Sequence, residues 1–164
     1  MISRTILLVG FIASFSSAAL AEMETLHPVK MEGVTELALK RRDGSAIIVS
    51  LVQAKIGDSY PYKDALLWGG DVGQLPKTIL TAISVQDRRE KITVPLSAYS
   101  DLGDVKSVSV QGLAQGFTVS VHGGDTAGAY DALLRFSHGR ISERIVSSRE
   151  FPDQAVERTH YSFP

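Results

Sequence analysis

Apolar and polar residues alternate with a period of two through most of this chain, most cleanly over residues 117–136. Phe117, Val119 and Val121 interleave with Thr118, Ser120 and His122. After Gly123-Gly124-Asp125-Thr126-Ala127-Gly128 the chain returns over residues 129–136. A two-residue period sends one set of side chains to one sheet face, so the segment reads as a β-hairpin. Pairing His122 with Ala129 sets Val121 against Tyr130, Val119 against Ala132 and Phe117 against Leu134, all on one buried face.

The same pattern recurs on either side. Residues 34–39 alternate, Arg42-Asp43-Gly44-Ser45 offers an Asp-Gly turn able to take type I′ geometry, and residues 47–52 return. That return strand is apolar on both sides, which places it in the middle of a sheet or at a junction between sheets. Residues 79–86 and 91–96 form another hairpin across the wholly charged Asp87-Arg88-Arg89-Glu90, with Val85 beside Ile92 and Ile83 beside Val94. Residues 97–104 read as a polar connection to a strand at 105–110 with Val108 and Val110 inward. Ser137-His138-Gly139-Arg140 reads as a two-residue turn into residues 140–146, and residues 156–163 form the last strand. These elements predict an all-β fold of about eight to ten strands. The architecture is an antiparallel β-sandwich, or a partly open barrel, built from successive hairpins.

Residues 1–21 follow a different rule. Arg4 precedes the apolar run from Ile6 to Ala13, and the segment ends in Ala19-Leu20-Ala21. A charged start, a short apolar stretch and an A-x-A site make a secretory signal peptide, with Glu22 the first mature residue. The run is shorter than the roughly 20 residues of a membrane span. The chain has no Cys, which removes lipid attachment and disulfides and leaves stability to the core. An exported protein is expected, with the periplasm as its compartment and secretion into the medium as the alternative.

The remaining stretch, residues 22–164, suffices for a single domain. Its first part, 22–32, lacks periodicity and reads as an extended or disordered leader or a short first strand. The net charge is −1, one unit more negative without Arg4, and both signs are interspersed. That balance argues against a nucleic-acid surface and against a polybasic membrane patch.

Several places offer binding or chemistry. Residues 57–77 lack β alternation and hold Tyr60, Tyr62, the single Trp at Trp68, and Asp71. Such a loop suits stacking on a sugar or anchoring a protein interface; alternatively, Trp68 and one Tyr plug an end of the sandwich. His122 and Asp125 flank a Gly-Gly tip, and His138 or His160 would have to converge on them to hold a metal. A zinc site needs three or four ligands, so the pair reads instead as a solvated His122 and a turn-capping Asp125, with no metal. Asp101-Leu102-Gly103-Asp104 reads as a polar turn rather than a calcium loop.

Glu143 is the candidate for acid–base or anchoring chemistry. Pairing through the His138-Gly139 turn sets Phe136 against Ile141 and Ala132 against Ile145, so Glu143 faces Leu134. A desolvated carboxylate there suits a general acid or a ligand anchor, unless the strand is an edge or a nearby Arg pairs with it. The outward row Thr118, Ser120 and His122, beside Asp131 and Arg135, adds hydrogen-bonding groups on a rigid sheet.

No nucleophile elbow, phosphate loop, His-Glu-x-x-His or cofactor motif occurs in the chain. The expectation is a non-catalytic, exported binding or interaction protein: an inhibitor, an immunity-type protein or an accessory factor for an envelope protein. A glycan- or small-ligand-binding module is the alternative, and a hydrolase using Glu143 or Asp125 comes third.

Overall fold

The alternating segments become ten β-strands in the computed structural model, which describes residues 25–57, 67–70 and 74–162. The expected signal peptide at 1–21 and the residues Tyr60, Tyr62 and Asp71 lie outside the described residues. Strands β2 (Gly33–Lys40), β3 (Ala46–Lys55), β4 (Thr78–Asp87) and β5 (Glu90–Ile92) form one antiparallel sheet in chain order. The second sheet runs β1 (His27–Pro28), β6 (Val105–Leu113), β7 (Gly116–Gly123), β8 (Tyr130–Ser137), β9 (Arg140–Ser148) and β10 (Ala155–His160). The two sheets form a β-sandwich and do not close into a barrel. Strand β3 lies inside its sheet, as its two-sided apolarity requires. No helix among the described residues is long and apolar enough to cross a membrane.

Both sheets contribute to one core. Leu37, Ile47, Val49, Leu51 and Val85 come from the four-stranded sheet, and Val119, Val121, Leu134, Phe136 and Ile141 from the other. Phe117 stacks on Phe136 with ring centroids 4.7 Å apart, an arrangement worth about 0.5–1.5 kcal/mol beyond the area it buries.

The β7–β8 register differs from expectation by two residues. Gly123 pairs with Tyr130, Val121 with Ala132, Val119 with Leu134 and Phe117 with Phe136. An even shift changes partners but keeps every residue on its face. Tyr130 explains the shift. Its ring lies where a Cβ on Gly123 would come within 2.5 Å, and its phenol donates to the Gly103 carbonyl at 2.9 Å. Burial pushes the phenol's pKa up. Gly123→Ala is therefore expected to cost about 1–3 kcal/mol through overpacking. Gly57→Ala, with open space around it, should cost far less; similar thermal midpoints for the two variants would contradict this account.

The turn between β8 and β9 forms as expected, with Ser137 opposite Arg140 and positive φ at His138 (52°) and Gly139 (73°). Phe136 also meets Ile141. Beyond that point a β-bulge changes the ladder, so Arg135 faces Glu143 and Leu134 faces Arg144. One extra residue reverses inside and outside for everything that follows. Glu143 therefore sits on the outer face, and Arg144, not Glu143, points toward the core beside Leu134.

Three smaller differences have local causes. The β2–β3 turn is not type I′: Gly44 alone takes positive φ (82°), and Asp43 spends its carboxylate on the Ser45 N–H at 2.9 Å. Pairing of β4 with β5 stops at Ile92, so Ile83 has no strand partner in Val94, which nevertheless packs against the core. The connection at 97–104 is not simply polar. A 3₁₀ turn, Leu96–Ala98, lets Ala98, Tyr99 and Leu102 enter the core.

Candidate functional site

The outer face of the six-stranded sheet is a grid fixed by strand register. One row runs Ser107, His122, Asp131, Ser147 and Ala155; the next runs Ser109, Ser120, Leu133, Ile145 and Arg158; the third runs Gln111, Thr118, Arg135, Glu143 and His160. Its centre is apolar, with Leu133 and Ile145 half-buried side by side. Serines lie to one side, and charged groups occupy the flanking rows.

A cavity of about 330 Å³ opens over this centre. Leu133 and Ile145 form its floor, Ser120, His122, Ser147 and Arg158 its polar edge, and Pro152 with Asp153 a wall. That wall belongs to the β9–β10 connection. Arg149 ties the connection to the sheet by donating from Nε to Asp131 Oδ1 at 3.0 Å.

The same Asp131 oxygen contacts His122 Nδ1 at 2.6 Å. A carboxylate accepts, so Nδ1–H donates to Asp131 and Nε2 is the ring nitrogen left for another partner. His122 Nε2 is buried and has no hydrogen-bond partner. A buried ring nitrogen left open beside a cavity is where a hydrogen-bonding group of a bound molecule would be satisfied. His122 is thus not the solvated residue expected, but part of a fixed Asp131–His122 pair.

In the third row, Glu143 is 7% exposed. Arg158 donates to its Oε1 at 2.7 Å, and Arg135 stands 3.2 Å from Oε2. Both oxygens are thereby engaged by guanidinium groups, the pairing that sequence reasoning set against an acid–base role. Two charge-assisted contacts thus hold the carboxylate in place.

Asp125 is elsewhere. It caps the short 3₁₀ turn Thr126–Gly128 by accepting from the Thr126 N–H at 3.1 Å, and it pairs with Lys106 at 3.1 Å. The Lys106 ammonium, aided by the Thr126 N–H, holds its carboxyl below the usual carboxylate range. No cluster of three or more His, Asp or Glu residues able to hold a metal occurs among the described residues. Trp68 is half-buried against the core, bridging to Leu102 with its ring 6.0 Å from Tyr130. That is the end-plug role. Asp104 accepts from the Lys77 and Thr78 N–H groups and so ties the 97–104 connection to the start of β4.

Comparison with family models, curated proteins and solved structures returns no match. The outer face therefore has to be read from its own geometry. Of the residues singled out from sequence, it gathers His122 and Glu143 and leaves Trp68 and Asp125 apart. Sequence reasoning missed Ser147 and Arg158, whose places depend on the β8–β9 bulge and on the β9–β10 register. It noticed Asp131 only as a neighbour of the outward row.

Proposed function

We propose that this protein is an exported, non-catalytic binding module whose outer six-stranded face seats an envelope protein. One observation carries the reading: an apolar centre, Leu133 and Ile145, lies on a rigid sheet inside a rim of charges already paired with one another. Interfaces concentrate binding energy in such a centre, while the rim excludes water and fixes orientation. Because Glu143 and Asp131 already have cationic partners, docking would not strand an unpaired charge. Export rests on the pattern of residues 1–21.

The test is photo-crosslinking in envelope extract with a reactive residue at position 120, compared with position 84 on the other sheet's exposed face. One protein adduct specific to position 120 and lost in Leu133→Arg is expected. Equal labelling from both positions would overturn the reading. Leu133→Arg should weaken capture by about 2 kcal/mol or more, as truncated hot spots do, while Leu133's partial exposure keeps the stability cost small.

A second reading draws on the cavity itself. Its 330 Å³ is at the lower end of ligand pockets, and Ser120, Ser147, Arg158 and the open His122 Nε2 suit the hydroxyls of a sugar ring. Calorimetry with cell-wall fragments decides it. Heat of binding that disappears in Arg158→Ala supports a glycan module; no heat leaves the protein–partner reading.

A further inference from the structure

The interspersed charges of the sequence separate in three dimensions. Four hairpin tips meet at one end of the sandwich around a cleft of about 880 Å³. The β2–β3 tip brings Lys40, Arg41 and Arg42, the β4–β5 tip Arg88, Arg89 and Lys91, and the β8–β9 tip Arg140. Against these seven cations stand three carboxylates at the same tips, Asp43, Asp87 and Glu90. The chain as a whole has 17 Lys and Arg against 18 Asp and Glu, so this end is strongly positive on a protein that is otherwise acidic.

Two details indicate what such an end meets. Arg41 is neutralised by Asp87, its second nitrogen donating to Oδ2 at 2.9 Å, but Arg42, Arg89 and Lys91 are exposed, and Arg88 reaches Asp43 only at 3.4 Å. Arg88 also holds a left-handed backbone, φ 60°, in a two-residue turn where Gly or Asn is favoured. A long cation in a strained slot at a tip is an observation that calls for a use. The fourth tip, β6–β7, presents Leu113, 47% exposed, beside exposed Ala114. Apolar groups projecting among basic ones match the layered chemistry of a lipid headgroup region.

We infer that this end of the sandwich docks on an anionic phospholipid surface, with Arg42, Arg88, Arg89 and Lys91 against the phosphates and Leu113 entering the interface. The inference is independent of the outer-face site, which lies on the side of the sandwich and would remain open to a partner when the end is seated. It stands against the expectation that a near-neutral, interspersed composition argues against a basic membrane patch. A net charge averages over the whole surface, and hairpin tips collect their charges at one end.

The experiment is co-sedimentation of the full chain with phosphatidylglycerol–phosphatidylcholine vesicles and with pure phosphatidylcholine vesicles. Binding to the first only, weakening steeply with salt, is expected. Arg88→Ala with Arg89→Ala should weaken it roughly 30-fold. Arg88→Gly distinguishes binding from folding. Glycine relieves the left-handed turn, so the thermal midpoint should hold or rise while vesicle binding falls. Lys77→Ala, at the other end of the sandwich, should change nothing. Failure to pellet with phosphatidylglycerol vesicles at low salt overturns the inference, as does binding that ignores the arginine substitutions. Capture by dextran sulfate without vesicle binding overturns it too and reassigns the end to a soluble polyanion.

Discussion

Val119→Asp should unfold the domain. Val119 is fully buried in β7, with Val110 and Leu134 as its cross-strand partners, and the substitution forces an unpaired carboxylate between the sheets. The penalty is several kcal/mol, comparable to the roughly 5–15 kcal/mol that holds an ordinary domain together. Ser84→Asp supplies the contrast, because Ser84 is exposed between buried Ile83 and Val85 on β4. Its cost should stay within about 0.5 kcal/mol. Urea midpoints measure both. Equal shifts would mean that a covering layer shields the outer face of the four-stranded sheet and that period-two burial does not describe it.

That contrast also marks what was legible from sequence. Alternation encodes which face a residue occupies, and the code survives any even shift of register. Phe117, Val119 and Val121 were placed correctly although each had been assigned the wrong partner. The same shift moved His122 from Ala129 to Asp131, so the fixed pair that leaves an open ring nitrogen on the outer face could not be read from the pattern. An odd shift defeats the code. Around Ser142-Glu143-Arg144 the residues are polar whichever way they point, so alternation had no means of signalling the bulge or of choosing Glu143 or Arg144 for the core.

Other features escaped because their period is not two. Tyr99 and Leu102 enter the core from a 3₁₀ turn and the bend after it, and in sequence they look like a polar loop with occasional apolar residues. The basic end escaped for a different reason. Lys40, Arg41 and Arg42 are about fifty residues from Arg88 and Arg89, and only strand pairing in the four-stranded sheet brings Arg41 to Asp87.

Arg144→Ala should be nearly as damaging as a charge forced into the core, for the converse reason. The side chain is buried in the sandwich, with Nη2 2.7 Å from Asp101 Oδ2, Nη1 2.8 Å from Glu157 Oε1, and a further bond from Nη1 to the Ser97 carbonyl at 3.2 Å. It joins β9, the edge strand β10 and the 97–101 connection through one guanidinium. Removing it strands two carboxylates and leaves a void, a change that costs about 3–5 kcal/mol for fully buried pairs. Asp101 and Glu157 keep 26% and 36% of their side-chain surface in contact with water, which places the expected loss at the lower end of that range. Arg144 Nε and Asp101 Oδ1 lack partners, so the network leaves part of its own polarity unsatisfied and gains less than its charges suggest. Neutralising the stranded partners as well, with Arg144→Ala, Asp101→Asn and Glu157→Gln, should therefore recover part of what Arg144→Ala alone loses, because a neutral amide costs less to leave unpaired than a carboxylate. Chemical unfolding at neutral pH separates the explanations. A triple variant as unstable as Arg144→Ala would show that the loss lies in the packing of the arginine stem and the Ser97 bond, whereas recovery assigns it to the stranded carboxylates.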